Sequence, residues 1–394
     1  MSSLAPHPYP LSARLRDVRG SAIRDLLTLT ARADVLSLAG GLPAADLLPR
    51  DRIADATAHA LAAPAAAQYS ETAGVATLRD VVAALESSRT GRDIEPADVV
   101  VTSGSQQALD LLARATLDPG DPVVVEDPAY VGALQVFQAA GAVLHGVPVD
   151  ASGMDVDALD ALLVGGLRPR LVHTVASFHN PRGVTMSQDR RARLCALADR
   201  YGFLVVEDDP YGLLCFDGPP PVPVAAHGDR VARLGSASKV LAPALRVGWL
   251  VAPPQVCAGV ERLKQSTDLC GSALTQTVAA ELLADTAWFD EHLHGLRAAY
   301  RSRAAALTAA LDDAFGAAIT RSTPTGGMFC WVEFRDGRDT STLLTRAVER
   351  GVAFVPGAAF AVGRPLTSAL RCSFAGYPEP VLRDAVLRLA AAAT

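Results

Sequence analysis

Residues 98–104, DVVVTSG, run directly into residues 105–117, SQQALDLLARATL, and the reading of this junction decides the fold class. Three consecutive valines without polar alternation suit a strand buried on both faces. The segment after them spaces its apolar residues by three and four, as an amphipathic helix does. The same succession returns along the chain: PVVVEDPAY (122–130) before VGALQVFQAAG (131–141), and LVHTVASF (171–178) before DRRARLCALADRYG (189–202). FLVVEDDPYG (203–212), VARLGSASK (231–239) and VGWLVAP (247–253) follow. Strand runs interleaved with helices predict an α/β fold with a mainly parallel sheet covered on both sides. After Thr275 the pattern changes to long helices, then to the runs GGMFCWVEF (326–334), VAFVPGAAF (352–360) and ALRCSF (369–374) between helices. This predicts a separate α+β unit, with PTGG and VPG as its turns. No internal repeat or low-complexity tract interrupts the order.

At 394 residues the chain has room for about two or three compact units. It is 50% apolar and 20% charged, and no apolar run approaches the ~18 residues of a membrane span, so a soluble protein is expected. The N-terminal stretch lacks the apolar core of a signal peptide, which makes the cytoplasm the expected compartment. A net charge of -6 with interspersed signs offers neither a basic stripe for nucleic acid nor a polybasic membrane patch. Six cysteines without a C-x-x-C pair read as buried thiols. More telling, only Lys239 and Lys264 among the 36 basic residues are lysine. Arginine stays protonated and forms no imine, whereas a deprotonated lysine does. A composition poor in lysine accounts for Lys264 in the polar run ERLKQSTD, but Lys239 invites a chemical explanation.

In a doubly wound sheet, ligands sit beyond the carboxyl ends of the strands. After VVVT come Ser103, Gly104, Ser105, Gln106 and Gln107, opening a helix whose free N–H groups favour a phosphate, with Ser105 as an ordinary N-cap the plainer alternative. After VEDP comes Tyr130, able to stack on a flat heterocycle or simply to pack. Asn180-Pro181-Arg182-Gly183 is a turn signal. Asp208 and Asp209 could hold a metal or a cofactor, and no histidine cluster supports the metal. LGSASKVLAPALRVGW supplies Ser236, Ser238, Lys239 and Arg246, hydroxyls and a guanidinium for a dianion beside an amine pushed toward its neutral form.

Together, S-G-S-Q-Q, N-P-x-G, E-D-D-x-Y and S-x-S-K followed by R resemble the class I/II aminotransferases of pyridoxal phosphate (PLP) fold type I. SAIRDLL, LAGGLP, QYS, PAYVGAL, GGMFCWVE, VAFVPG and ALRCSF resemble the branch with 2-aminoadipate and kynurenine aminotransferases. The resemblance implies a large domain (49–288) with a mainly parallel seven-stranded sheet, and a small α+β domain from both chain ends (1–48 and 289–394). It implies pyridoxal 5'-phosphate held as a Schiff base on Lys239, Asp208 facing the ring nitrogen, Asn180 and Tyr211 on the phenolic oxygen, and Tyr130 on the ring face. The phosphate would sit among Ser105, Gln106, Ser236, Ser238 and Arg246, with Tyr69 entering from a second subunit of a homodimer. Arg371 would grip the substrate α-carboxylate, with Asn180 and the backbone at Gly40 nearby. Arg24 would meet a second carboxylate, glutamate and 2-oxoglutarate being one expected pair of ping-pong amino transfer between an L-amino acid and a 2-oxo acid.

Two departures from the family pattern fall near the site: N-P-R-G with Arg182, and Asp268-Leu269-Cys270-Gly271. Both leave the substrate side chain open. The same constellation also serves PLP lyases, cyclases, decarboxylases and oxidases, and fold does not fix the reaction. A regulator's effector domain is disfavoured by the short stretch before the sheet region, and TSGSQQ lacks the glycines of a dinucleotide fingerprint.

Overall fold

A computed structural model describes residues 34–394. Its first strand, β1 (Leu36–Ser37), lies outside the largest sheet. That sheet contains β2 (Val99–Thr102), β3 (Pro122–Asp127), β4 (Val143–Asp150), β5 (Gly153–Met154), β6 (Leu171–Thr174), β7 (Leu204–Asp208), β8 (Val231–Ser236) and β9 (Gly248–Val251). Their order is β2-β9-β8-β7-β6-β3-β4-β5. From β8 to β4 every neighbour is parallel, while β9 runs antiparallel to β2 and β8. The expected seven strands are present, and β5 adds an eighth at the edge. It is a two-residue return pairing Met154 with Val149, too short to leave a periodic signal.

A second sheet holds β10 (Ile319–Arg321) and β11 (Phe329–Phe334). β12 (Val352–Ala353) instead pairs with β1 in parallel, tying the start of the described chain to its last third. β13 (Val355–Pro356) and β14 (Ala369–Ser373) complete the second sheet in the order β10-β11-β14-β13, antiparallel throughout. Among the described residues no helix is long and apolar enough to cross a membrane.

The pleat explains why the valine runs carry no polar residues. Val123 and Val125 pack with Leu109 and Phe137, whereas Val124 points the other way, against Leu159 and Leu194. Each strand thus feeds two cores. On β7 the same alternation separates Val205 from Val206, and then sorts three consecutive acids. Glu207 and Asp209 share a fully buried network with Arg233, whose Nε also pairs with Glu86 Oε2 at 2.6 Å. Arg191 meets Glu207 and Arg89 meets Asp209, so three carboxylates and three guanidinium groups balance. Asp209 is therefore committed to structure and forms no metal pair with Asp208. Replacing Arg233 by Met leaves three buried carboxylates to two guanidinium groups, with Glu86 losing its cation, and a loss of ~3–5 kcal/mol in denaturant unfolding is expected. A change below about 1 kcal/mol would contradict this account of the network.

Candidate active site

Beyond the carboxyl ends of β2, β3, β6, β7 and β8 lies a cavity of about 630 Å³. It gathers Ser105, Gln106, Tyr130, Asn180, Asp208, Tyr211, Ser236, Ser238, Lys239, Arg246 and Arg371. Most belong to the large sheet's loops, while Arg371 arrives from the centre of the second sheet, on β14. Tyr69 is outside this group, with its side chain on the surface at 77% exposure. Gly40 is replaced at the wall by Gly41, and the carbonyls on its two sides are the ones engaged, Ala39 O by Arg371 and Gly41 O by Lys239. Arg24 lies outside the described residues.

Lys239 Nζ donates to Gly41 O at 2.7 Å. Burial lowers its pKa to about 8, and the neighbouring cations Arg371 and Arg246 push the same way against Asp208. The neutral, nucleophilic amine is thus accessible near neutral pH. Lys264, by contrast, is fully buried. Labelling of the cofactor-free protein with an amine acylating reagent, mapped by mass spectrometry, should therefore modify Lys239 with a midpoint near pH 8 and spare Lys264. A midpoint above about pH 10, the ordinary lysine value, would refute the electrostatic reading.

Asp208 ends β7 on the face opposite Glu207. Its Oδ1 is buried without a hydrogen-bond partner, and His173 Nε2 stands 3.9 Å from Oδ2. A buried acceptor left open on a cavity wall requires a donor from the cavity. Tyr211 meets Phe329 edge to face at 5.7 Å, and burial, reinforced by Tyr130, drives its hydroxyl well above the usual tyrosine pKa, which keeps it a donor. Tyr130 donates through its hydroxyl to Gln106 Oε1 at 3.1 Å.

The helix Ser105–Thr116 begins one residue earlier than an N-cap at Ser105 requires. Gly104 is the cap, at φ +96°, and no side chain caps the first turn. A Cβ on Gly104 would strike Arg246 Nη2 at 2.7 Å, so the absent side chain lets the guanidinium lie on the turn. Arg246 itself holds a left-handed backbone at φ +52° and donates to Ser103 O at 2.6 Å. Uncapped N–H groups, two serine hydroxyls and a guanidinium thus converge on one end of the cavity.

Arg371 is 2% exposed. Its Nη1 donates to Asn180 Oδ1 at 2.7 Å, Phe329 covers its guanidinium at 4.2 Å, and its Nε is unpartnered. Burial lowers its pKa to about 10, so it remains cationic at neutral pH.

Arg182 points elsewhere. Its guanidinium is 3.8 Å from Glu333 and does not line the cavity, because Glu333 on β11 neutralises it there. Gly271 packs against Gln276, also away from the cavity wall. Sequence reasoning missed Val131, Gln135, Val175, Pro210 and Phe329 as wall residues. Val131, Val175, Pro210 and Phe329 each had a signal, their places in PAYVGAL, LVHTVASF, FLVVEDDPYG and GGMFCWVEF, whereas Gln135 had only its place in a helical run.

The family of aminotransferases class I and II matches residues 33–389. The aromatic-amino-acid aminotransferase 1 of Thermococcus litoralis is 39% identical over 387 residues, covering 96% of this chain and 93% of that one. The 2-aminoadipate transaminase of Thermus thermophilus is 40% identical over 380 residues, covering 94% and 93%. The crystal structure of Pyrococcus horikoshii kynurenine aminotransferase, with PMP, KYN and KYA, matches at a TM-score of 0.91 and 39% identity, covering 97% of this chain and 96% of that one. The chain belongs to the class I and II aminotransferases. It is a PLP-dependent aminotransferase of fold type I, and its cofactor is pyridoxal 5'-phosphate. The cavity fits that group: an open buried acceptor at Asp208, a low-pKa amine at Lys239 and an uncapped anion cradle at Ser105.

Proposed function

We propose that the protein moves an amino group between an L-amino acid and a 2-oxo acid in two half-reactions, glutamate and 2-oxoglutarate forming one pair. The observation that carries this reading is the buried guanidinium of Arg371, with a free Nε, in the same cavity as the low-pKa amine of Lys239. A bound pyridoxal phosphate supplies an electrophilic carbon and an electron sink for the bond broken at the substrate Cα.

In this proposal Arg371 and Asn180 orient the substrate carboxylate as a fork-shaped ion pair. Lys239 carries the cofactor and then, as a free amine, takes the Cα proton and returns it. Asp208 would accept from the ring nitrogen, Asn180 and Tyr211 would hold the phenolic oxygen, and Tyr130 would lie against the ring. Ser105, Gln106, Ser236, Ser238 and Arg246 hold the phosphate. The exposure of Tyr69 supports its reaching a second subunit in a homodimer, and Arg24 would serve the second carboxylate of glutamate. The division into 49–288 and 289–394, with 1–48 joining the latter, belongs to the same proposal, as does a cytoplasmic location. Pairing of β1 with β12 supports the joining of the two ends.

The test is a screen of amino donors against 2-oxo acids, following cofactor absorbance and ammonia. Amino acid alone should convert the cofactor to its pyridoxamine form without ammonia, and a 2-oxo acid should reverse it. Ammonia released in step with substrate consumption would replace transfer by elimination.

A further inference from the structure

The second lysine has a role that its polar sequence context hides. Lys264 is fully buried near the end of the helix Pro254–Thr267. A buried ammonium requires a partner, and here the partner leads toward the cofactor site. Lys264 Nζ donates to Asp268 Oδ1 at 2.7 Å, and Asp268 Oδ2 accepts from Gln107 Nε2 at 2.7 Å. Gln107 Oε1 then accepts the backbone N–H of Ser103, also at 2.7 Å. The carbonyl of the same Ser103 is the group that receives Arg246. Both polar backbone groups of Ser103 are therefore pinned, one by Arg246 and one by the chain of side chains ending in Lys264.

We infer that Lys264, through Asp268 and Gln107, is a positioning residue that holds the Ser103–Gly104–Ser105 turn ready for the cofactor phosphate. The inference rests on the proposed assignment of the phosphate to this turn. Two physical effects act together. A carboxylate offers only acceptors, so Asp268 obliges the Gln107 amide to aim its N–H inward and its oxygen at Ser103. Lys264 also neutralises Asp268. Without it, a bare carboxylate would stand two hydrogen bonds from an anion cradle and oppose a dianion. Gly104, at φ +96° with no capping side chain, gives the turn little rigidity of its own.

The effect is specific to the phosphate, which gives a readout independent of turnover. Cofactor-free wild type, Lys264→Met and Gln107→Leu are each titrated with pyridoxal phosphate and with pyridoxal, which lacks the phosphate. Wild type should prefer the phosphorylated form. Each variant should lose about tenfold or more of that preference, the scale on which outer partners act on ligand-holding groups, while binding pyridoxal within about twofold of wild type. Full preference in either folded variant, or equal weakening toward both ligands, overturns the inference. Should Lys264→Met not fold, Gln107→Leu decides alone, since it removes no buried charge. A wild type with no preference would instead sink the phosphate assignment itself.

Discussion

Lys239→Ala is expected to slow amino transfer by roughly 10²–10⁴-fold, the usual contribution of a positioned proton-transfer group. No neighbour can take over. Arg371 and Arg246 stand close enough to depress the lysine pKa, but guanidinium groups do not give up a proton at working pH. Lys264 is locked to Asp268 and does not line the cavity. The loss should appear in single-turnover rates with excess amino acid, while pyridoxal phosphate still binds noncovalently through the remaining polar groups. A variant within about tenfold of wild type would remove Lys239 from the chemistry.

Arg371→Gln comes second in expected size. The guanidinium is buried between Phe329 and Phe360 and is already bonded to Asn180. In the proposed pairing with a substrate carboxylate, truncating one member of a buried charge pair costs ~2–5 kcal/mol, roughly thirty-fold to several-thousand-fold in kcat/KM toward an amino acid. Arg371→Lys keeps the charge but not the fork and should recover little. The control is the corresponding amine without its carboxylate, whose slower reaction should be unchanged by either substitution. Equal losses for acid and amine would mean that Arg371 only supports the fold.

Much of the site could be read from the chain because strand-end position is a local property. Ser105, Asp208 and Lys239 each follow a run read as a strand, and each faces the cavity. What stayed hidden depends on which way a side chain turns and on what meets it from far away. Asp208 and Asp209 are alike in sequence, and only the pleat sends one to the cavity and the other to Arg233. Arg182 sits two residues from Asn180, but Glu333, from another sheet, draws it off. Lys264 reads as compositional background in a polar run until Asp268 and Gln107 are folded against it. Phe329 reaches the wall only because two sheets pack together, and β5 is too short for any period.

The sorting of acids on β7 also bears on how this chain tolerates insertions and deletions. Hydrophobic strands often survive a one-residue change in length by sliding to an equivalent apolar register. Here, a slip by one residue would turn Glu207 and Asp209 toward the cofactor cavity and Asp208 into the arginine-rich interior. Two carboxylates would face the place proposed for the ring nitrogen, and three guanidinium groups would share two acids. The frame of this strand is thus fixed by electrostatics as well as by packing, and only Gly202 and Phe203 separate it from the helix Gln188–Tyr201, which leaves little room to absorb a length change between them.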